Sequence, residues 1–158
     1  EEDMDYIFWL DSGMVFDGDI LQRMFKSIGD KDYLSGLAFT RRVKPYKPCI
    51  FKSVGYDKEG DKIRPYSEHY FDYPENSLCE IEGSGLACCL MKVSMVKDIT
   101  ERYGLPFSPA IGFGEDLSFC MKARDGGYKL FADPSIKVGH IGTMVIDEDM
   151  YKEVLSHE

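Results

Sequence analysis

The chain has 158 residues, 44% hydrophobic and 30% charged, enough for one domain with its own core. Its 19 basic and 28 acidic side chains give a formal net charge of -9, which argues against nucleic acid as a partner, because phosphate backbones are bound through basic surface. No apolar run approaches the roughly 18–20 residues of a membrane span, and an initial Glu without a signal-peptide pattern reads as a chain excised from something longer.

Asp5 to Leu10 is a continuous apolar and aromatic run that stops at Asp11-Ser12-Gly13. It is too short for a helix and rich in β-formers, so it reads as a strand buried on both faces, with Trp9 in the core. Asp17-Gly18-Asp19 offers an N-cap for a helix from about Ile20 to Ile28, which Gly29 ends. Tyr33 to Thr40 reads as the next strand.

Residues 43–73 turn aromatic and Pro-rich, with Lys58-Glu59-Gly60-Asp61 as the turn of a β-hairpin carried as an excursion. Leu78 to Lys92 reads as a strand interrupted by Gly83-Ser84-Gly85, and Ser94 to Tyr103 as a short helix closed by Gly104. Leu105 to Phe113, with Pro106, Pro109 and Gly112, reads as a functional loop. A helix follows from about Asp116 to Arg124, ending at Gly126-Gly127. Tyr128 to Val138 supplies the closing strands before Gly139-His140-Ile141-Gly142. With no repeat and no linker, residues 1–158 are expected to form one α/β domain.

The five cysteines, Cys49, Cys79, Cys88, Cys89 and Cys120, are odd in number and include no CxxC. Adjacent strand residues point to opposite faces, so Cys88 and Cys89 cannot share a metal. All five read as reduced, mostly buried thiols, and a cytoplasmic location is expected.

Three features could carry chemistry. Glu115-Asp116 opens a helix, where an Asp can be a proton acceptor or simply a cap. His140 sits in a glycine frame that allows close approach to a ligand, although a lone histidine is more often a surface or satisfied core residue. Arg41, Arg42, Lys44, Lys47 and Lys52 form a basic cluster, either a solvated hairpin edge or a meeting place for an anionic substrate. His69 and His157 lack comparable context.

Four segments in this order, YIFWLDSGMVF from Tyr6, LSGLAFTRR from Leu34, EIEGSGLACCLMKVSMV from Glu80 and GEDLSFCMKARDGGYKLFADPSIKVGHIGT from Gly114, carry a resemblance. The chain resembles, over nearly its whole length, the C-terminal two-thirds of a GT-A glycosyltransferase, particularly the family 2-like bacterial and phage enzymes. The resemblance implies a three-layer α/β sandwich with a mainly parallel central sheet, lacking the N-terminal nucleotide-binding part. The strand at Tyr6 would then have an exposed edge, open to homo-oligomerisation.

The implied reaction is inverting transfer of a sugar from a nucleotide-diphosphate donor to an acceptor hydroxyl, on a carbohydrate or other molecule. By resemblance Asp116 is the base and Glu115 its orienting neighbour, while Asp11 contacts the ribose or the metal. His140 reaches the metal or diphosphate, and Gly83, Ser84 and Gly85 line the acceptor side, although a simple strand bulge explains these three nearly as well. The implied cofactor is a divalent metal, Mn or Mg, held by Asp11 and His140. The family's Asp-x-Asp motif departs here: its second position is Gly13, which weakens the metal site. Asp17 and Asp19 read better as helix caps than as substitutes. Tyr66, Tyr70, Phe71, Tyr73 and Phe107 are candidates for stacking on a sugar ring or for hairpin packing. Two other readings stand beside this one. One is a degenerate GT-A domain kept for carbohydrate binding or assembly, and the other a nucleotidyltransferase, against which the Gly-His-Gly strand argues.

Overall fold

The computed structural model describes residues 4–41, 45–142 and 145–155. Arg42 and Lys44 of the basic cluster, Thr143 and His157 lie outside them.

β1 (Tyr6–Leu10) leads through a turn to β2 (Met14–Val15) and α1 (Ile20–Ile28). The apolar side chains of α1 recur at helical spacing and bury Ile20, Met24 and Ile28, while Leu21 and Phe25 stay partly exposed. Asp19 holds the N-cap position as expected. Its side chain makes no capping bond; the start is closed by the Ile20 N–H donating to the Asp17 carbonyl at 3.0 Å.

β3 (Tyr33–Leu37) follows, then a long hairpin of β4 (Ile50–Glu59) and β5 (Lys62–His69) turning at Gly60, whose φ of 61° suits glycine. The stretch expected as one interrupted strand is three: β6 (Cys79–Ile81), β7 (Gly83–Ser84) and β8 (Cys88–Lys92). α2 (Val93–Tyr103) and α3 (Glu115–Asp125) precede β9 (Leu130–Lys137) and β10 (Gly139–Ile141). β11 (Val145–Ile146) and α4 (Glu148–Leu155), not anticipated from sequence, close the described chain.

The central sheet has the order β1-β8-β3-β9-β6. It is mixed rather than mainly parallel: only β3 and β9 pair in parallel, whereas β1–β8, β8–β3 and β9–β6 are antiparallel. The apolar runs gave no warning, because a buried strand has the same composition whichever way it points. β4 joins β5 and β7 in a second sheet, and β10 bridges β2 and β11 in a third.

Alternation along the strands divides the interior into two layers. One face packs Ile20, Met24 and Ile28 of α1 against Leu34, Cys88, Leu90 and Ile136. The other packs Met95 and Ile99 of α2 and Phe119, Cys120 and Ala123 of α3 against Tyr33, Cys89, Met91 and Leu130. Each fully buried large side chain contributes about 1.5–3 kcal/mol. Cys88 and Cys89 fall in opposite layers, and all five cysteines are free.

β1 departs from expectation. It lies at the sheet edge, paired on one side by β8, so its residues are half-buried and Trp9 is 38% exposed. No described helix is long and apolar enough to cross a membrane.

Candidate functional site

The end of β1, the loop entering β8 and the start of α3 meet at one point. The Asp11 N–H donates to the Ala87 carbonyl at 3.0 Å, and the Gly85 N–H to the Cys49 carbonyl at 2.9 Å, which fixes the floor. α3 begins after Gly114, a residue with no side chain to cap it. A Cβ on Gly114 would stand 3.0 Å from Asp116 Oδ1, so the glycine makes room for that carboxylate. Asp116 Oδ1 accepts the Leu117 N–H at 2.7 Å, satisfying one of the unpaired amides of the first turn. Its Oδ2 faces Gly85, 3.8 Å from where a Cβ would be.

Burial raises the pKa of Asp116, and the Glu115 and Asp11 carboxylates add to the rise, against the pull of the Leu117 amide. The Asp11 carboxylate predicted for the site is therefore near enough to act on Asp116. Cys49 lies within the field of Asp116; burial, then that carboxylate, push its thiol up to about 12, which leaves it protonated and inert.

Not all of the predicted acceptor side is there. Gly83 and Ser84 are buried. A Cβ on Gly83 would meet Leu117 Cδ2 at 2.9 Å, so its bareness serves the docking of α3 on β7. Ser84 Oγ lies 2.7 Å from the Tyr33 hydroxyl inside the core. Gly85 alone of the three reaches Asp116.

Trp9, expected in the core, belongs to the site instead. Its indole Nε1–H donates to Asp11 Oδ1 at 3.2 Å, and its ring rests against Phe107 with centroids 5.5 Å apart. Phe107 in turn stacks on Phe119 at 4.6 Å. The signal was present in the sequence: in an alternating strand, a residue two places before a site aspartate shares its face. The other aromatic candidates sit apart: the Tyr73 hydroxyl donates to Glu148, and Tyr70 lies beneath Lys52. Tyr66 packs on Gly55 of its own hairpin, and Phe71 is exposed near His69.

A second group forms around the turn from β1 to β2. The Met14 N–H donates to the Asp11 carbonyl at 3.2 Å, and the Ile141 N–H to the Gly13 carbonyl at 2.8 Å. β10 thereby brings His140 opposite Met14. His140 Nδ1 lies 2.6 Å from the Phe39 carbonyl. A carbonyl only accepts, so Nδ1 carries the proton and Nε2 is the atom left for a ligand. Arg41 Nη1 donates to the Ile141 carbonyl at 3.1 Å and stands 3.3 Å from where a Cβ on Gly13 would be.

These residues do not make a metal cage. Asp11 and His140 offer one carboxylate and one imidazole, and among the described residues no three His, Cys, Asp or Glu side chains converge. Gly13 is bordered by the Arg41 guanidinium, whose charge opposes a cation there.

The fold is similar to the crystal structure of A197 from STIV, with 19% identity and a TM-score of 0.55 over 87% of this chain. The chain spans 58% of that protein's length. At this identity the likeness is one of fold. No protein-family model and no curated protein matches the chain.

Proposed function

We propose that this chain is the acceptor-side portion of a GT-A-like glycosyltransferase, moving a sugar from a nucleotide-diphosphate donor to an acceptor hydroxyl with inversion. The observation that carries the reading is the half-buried Asp116, its pKa raised by burial and in part by the Asp11 carboxylate, to which Trp9 is hydrogen-bonded. A carboxylate with raised pKa is a stronger proton acceptor than an ordinary aspartate.

In the proposed step the acceptor oxygen attacks the anomeric carbon as its proton passes to Asp116. The bond from that carbon to the diphosphate oxygen breaks, and the electron pair leaves with the diphosphate. Trp9 and Phe107 offer an apolar wall for a sugar ring, and the indole N–H orients the Asp11 carboxylate. No step is routed through a metal, because the residues do not fit one.

The test is release of nucleoside diphosphate from UDP-glucose or GDP-mannose, with and without sugar acceptors. Release that disappears in Asp116→Asn supports the reading. Gly13 favours a second reading, a degenerate domain that binds carbohydrate without turning over; sugar binding with no release from any donor would select it.

A further inference from the structure

Gly13 removes a carboxylate from the turn after β1, and Arg41 brings a cation to the same place. The two facts have one explanation if the turn receives an anion directly. Arg41 is held by a single bond from Nη1 to the Ile141 carbonyl, and it has no carboxylate partner among the described residues. The rest of its planar fork of donors remains for a ligand. The Ser12 and Gly13 amides, in the same turn, meet no acceptor among the described residues. The Ile141 N–H to Gly13 carbonyl bond ties that turn to the strand carrying His140 and to the carbonyl holding Arg41.

We propose that Arg41, over the bare backbone of Gly13, forms a metal-independent site for a diphosphate group. Its guanidinium does there what a divalent cation would otherwise do, neutralising the phosphate oxygens as the leaving group departs. The inference rests on the glycosyl-transfer reading for its physiological ligand, a nucleotide-diphospho-sugar; inorganic pyrophosphate presents the same chemistry. The site then requires that position 13 carry no carboxylate. A side-chain carboxylate there would pair with Arg41 and close it to anions, whereas in a metal site the same carboxylate would complete the cage. The two accounts predict opposite effects for one substitution.

The experiment is calorimetric titration of the chain with inorganic pyrophosphate, in excess EDTA and then with Mn²⁺. Binding is expected in EDTA. Arg41→Ala should weaken it roughly ten- to hundred-fold, the range for a lost hydrogen bond to a charged group. Gly13→Asp, which leaves Arg41 and its Ile141 bond in place, should weaken it similarly. Gly13→Ala should bind as the parent does, since its Cβ meets only the movable tip of Arg41.

Binding that needs Mn²⁺, that Gly13→Asp strengthens, that Arg41→Ala leaves unchanged, or that is absent in every condition would overturn the proposal. Competition by UDP-glucose or GDP-mannose separates the two ligand sources. Pyrophosphate held by Arg41 with neither sugar nucleotide competing would keep the anion site and refute the glycosyl-transfer reading alone.

Discussion

The indole N–H of Trp9 donates to the Asp11 carboxylate at 3.2 Å, linking an edge-strand aromatic to the aspartate that ends the strand. Trp9 is the one tryptophan of the chain and is 38% exposed, so its fluorescence reports on this site without labelling. Titration with a sugar nucleotide or sugar acceptor should change its intensity or emission maximum. Trp9→Phe should keep the contact with Phe107, lose the bond to Asp11, and weaken ligand binding by roughly two- to tenfold, as for a hydrogen bond worth about 0.5–1.5 kcal/mol. Equal affinity in parent and variant would remove Trp9 from the site.

Asp116→Asn separates stability from activity. Asn keeps an oxygen for the Leu117 amide but accepts no proton, so turnover should fall about 10²–10⁴-fold. Because the folded pKa of Asp116 is raised, the native state binds the proton more tightly than the unfolded chain does. Ionisation of this group therefore costs stability as pH rises above its unfolded value near 3.8. The Asn variant should melt higher than the parent at pH 7, with the advantage closing toward pH 3. Melting curves across that range give the check; a variant less stable at pH 7 would mean that burial does not dominate.

The hairpin is fastened over the loop that leads into α3. Tyr56 donates its hydroxyl to the Ile111 carbonyl at 2.9 Å, and Gly112, at φ 78°, lies where a Cβ would clash with the Pro65 ring. Gly112→Ala combines a disfavoured conformation with a clash and should cost roughly 1–3 kcal/mol. Since Glu115 and Asp116 follow after only Phe113 and Gly114, activity should fall further than stability does, measured as turnover well below the melting temperature.

Glu148 is a buried carboxylate, 6% exposed, that ties α4 to the body of the fold. Lys137 pairs with it, Lys152 lies at 3.7 Å, and Tyr73 donates its hydroxyl at 3.1 Å. Beside it Tyr151 stacks on Phe39 at 4.7 Å, and the Phe39 carbonyl is the one that orients His140. Glu148→Ala leaves Lys137 and Tyr73 without this acceptor, while Lys152 keeps Glu75 at 3.0 Å, and should destabilise by about 1–3 kcal/mol. Denaturant unfolding measures the cost, and a shift of the His140 ring resonances in NMR tests whether the loosening reaches the site.

Local chemistry was enough for several parts of the sequence to be read correctly. The apolar spacing of α1, the Gly60 turn of the hairpin, the helix opening at Glu115-Asp116 and the strand carrying His140 all form where side-chain period and glycine placement put them. Three further aspects depended on partners distant in the chain. The direction of strand pairing made the sheet mixed, and the edge position of β1 turned Trp9 from core to exposed surface beside Asp11. The packing of Leu117 on Gly83 moved two expected site residues inside. The meeting of Arg41 with Gly13 is of the same kind: both residues are plain in the sequence, but 28 positions apart, and only the return of β10 to the first turn holds the guanidinium there. Sequence determined which residues could do chemistry, because donor, acceptor and charge are properties of single side chains. Tertiary structure decided which of them act together, because distance and burial are properties of pairs.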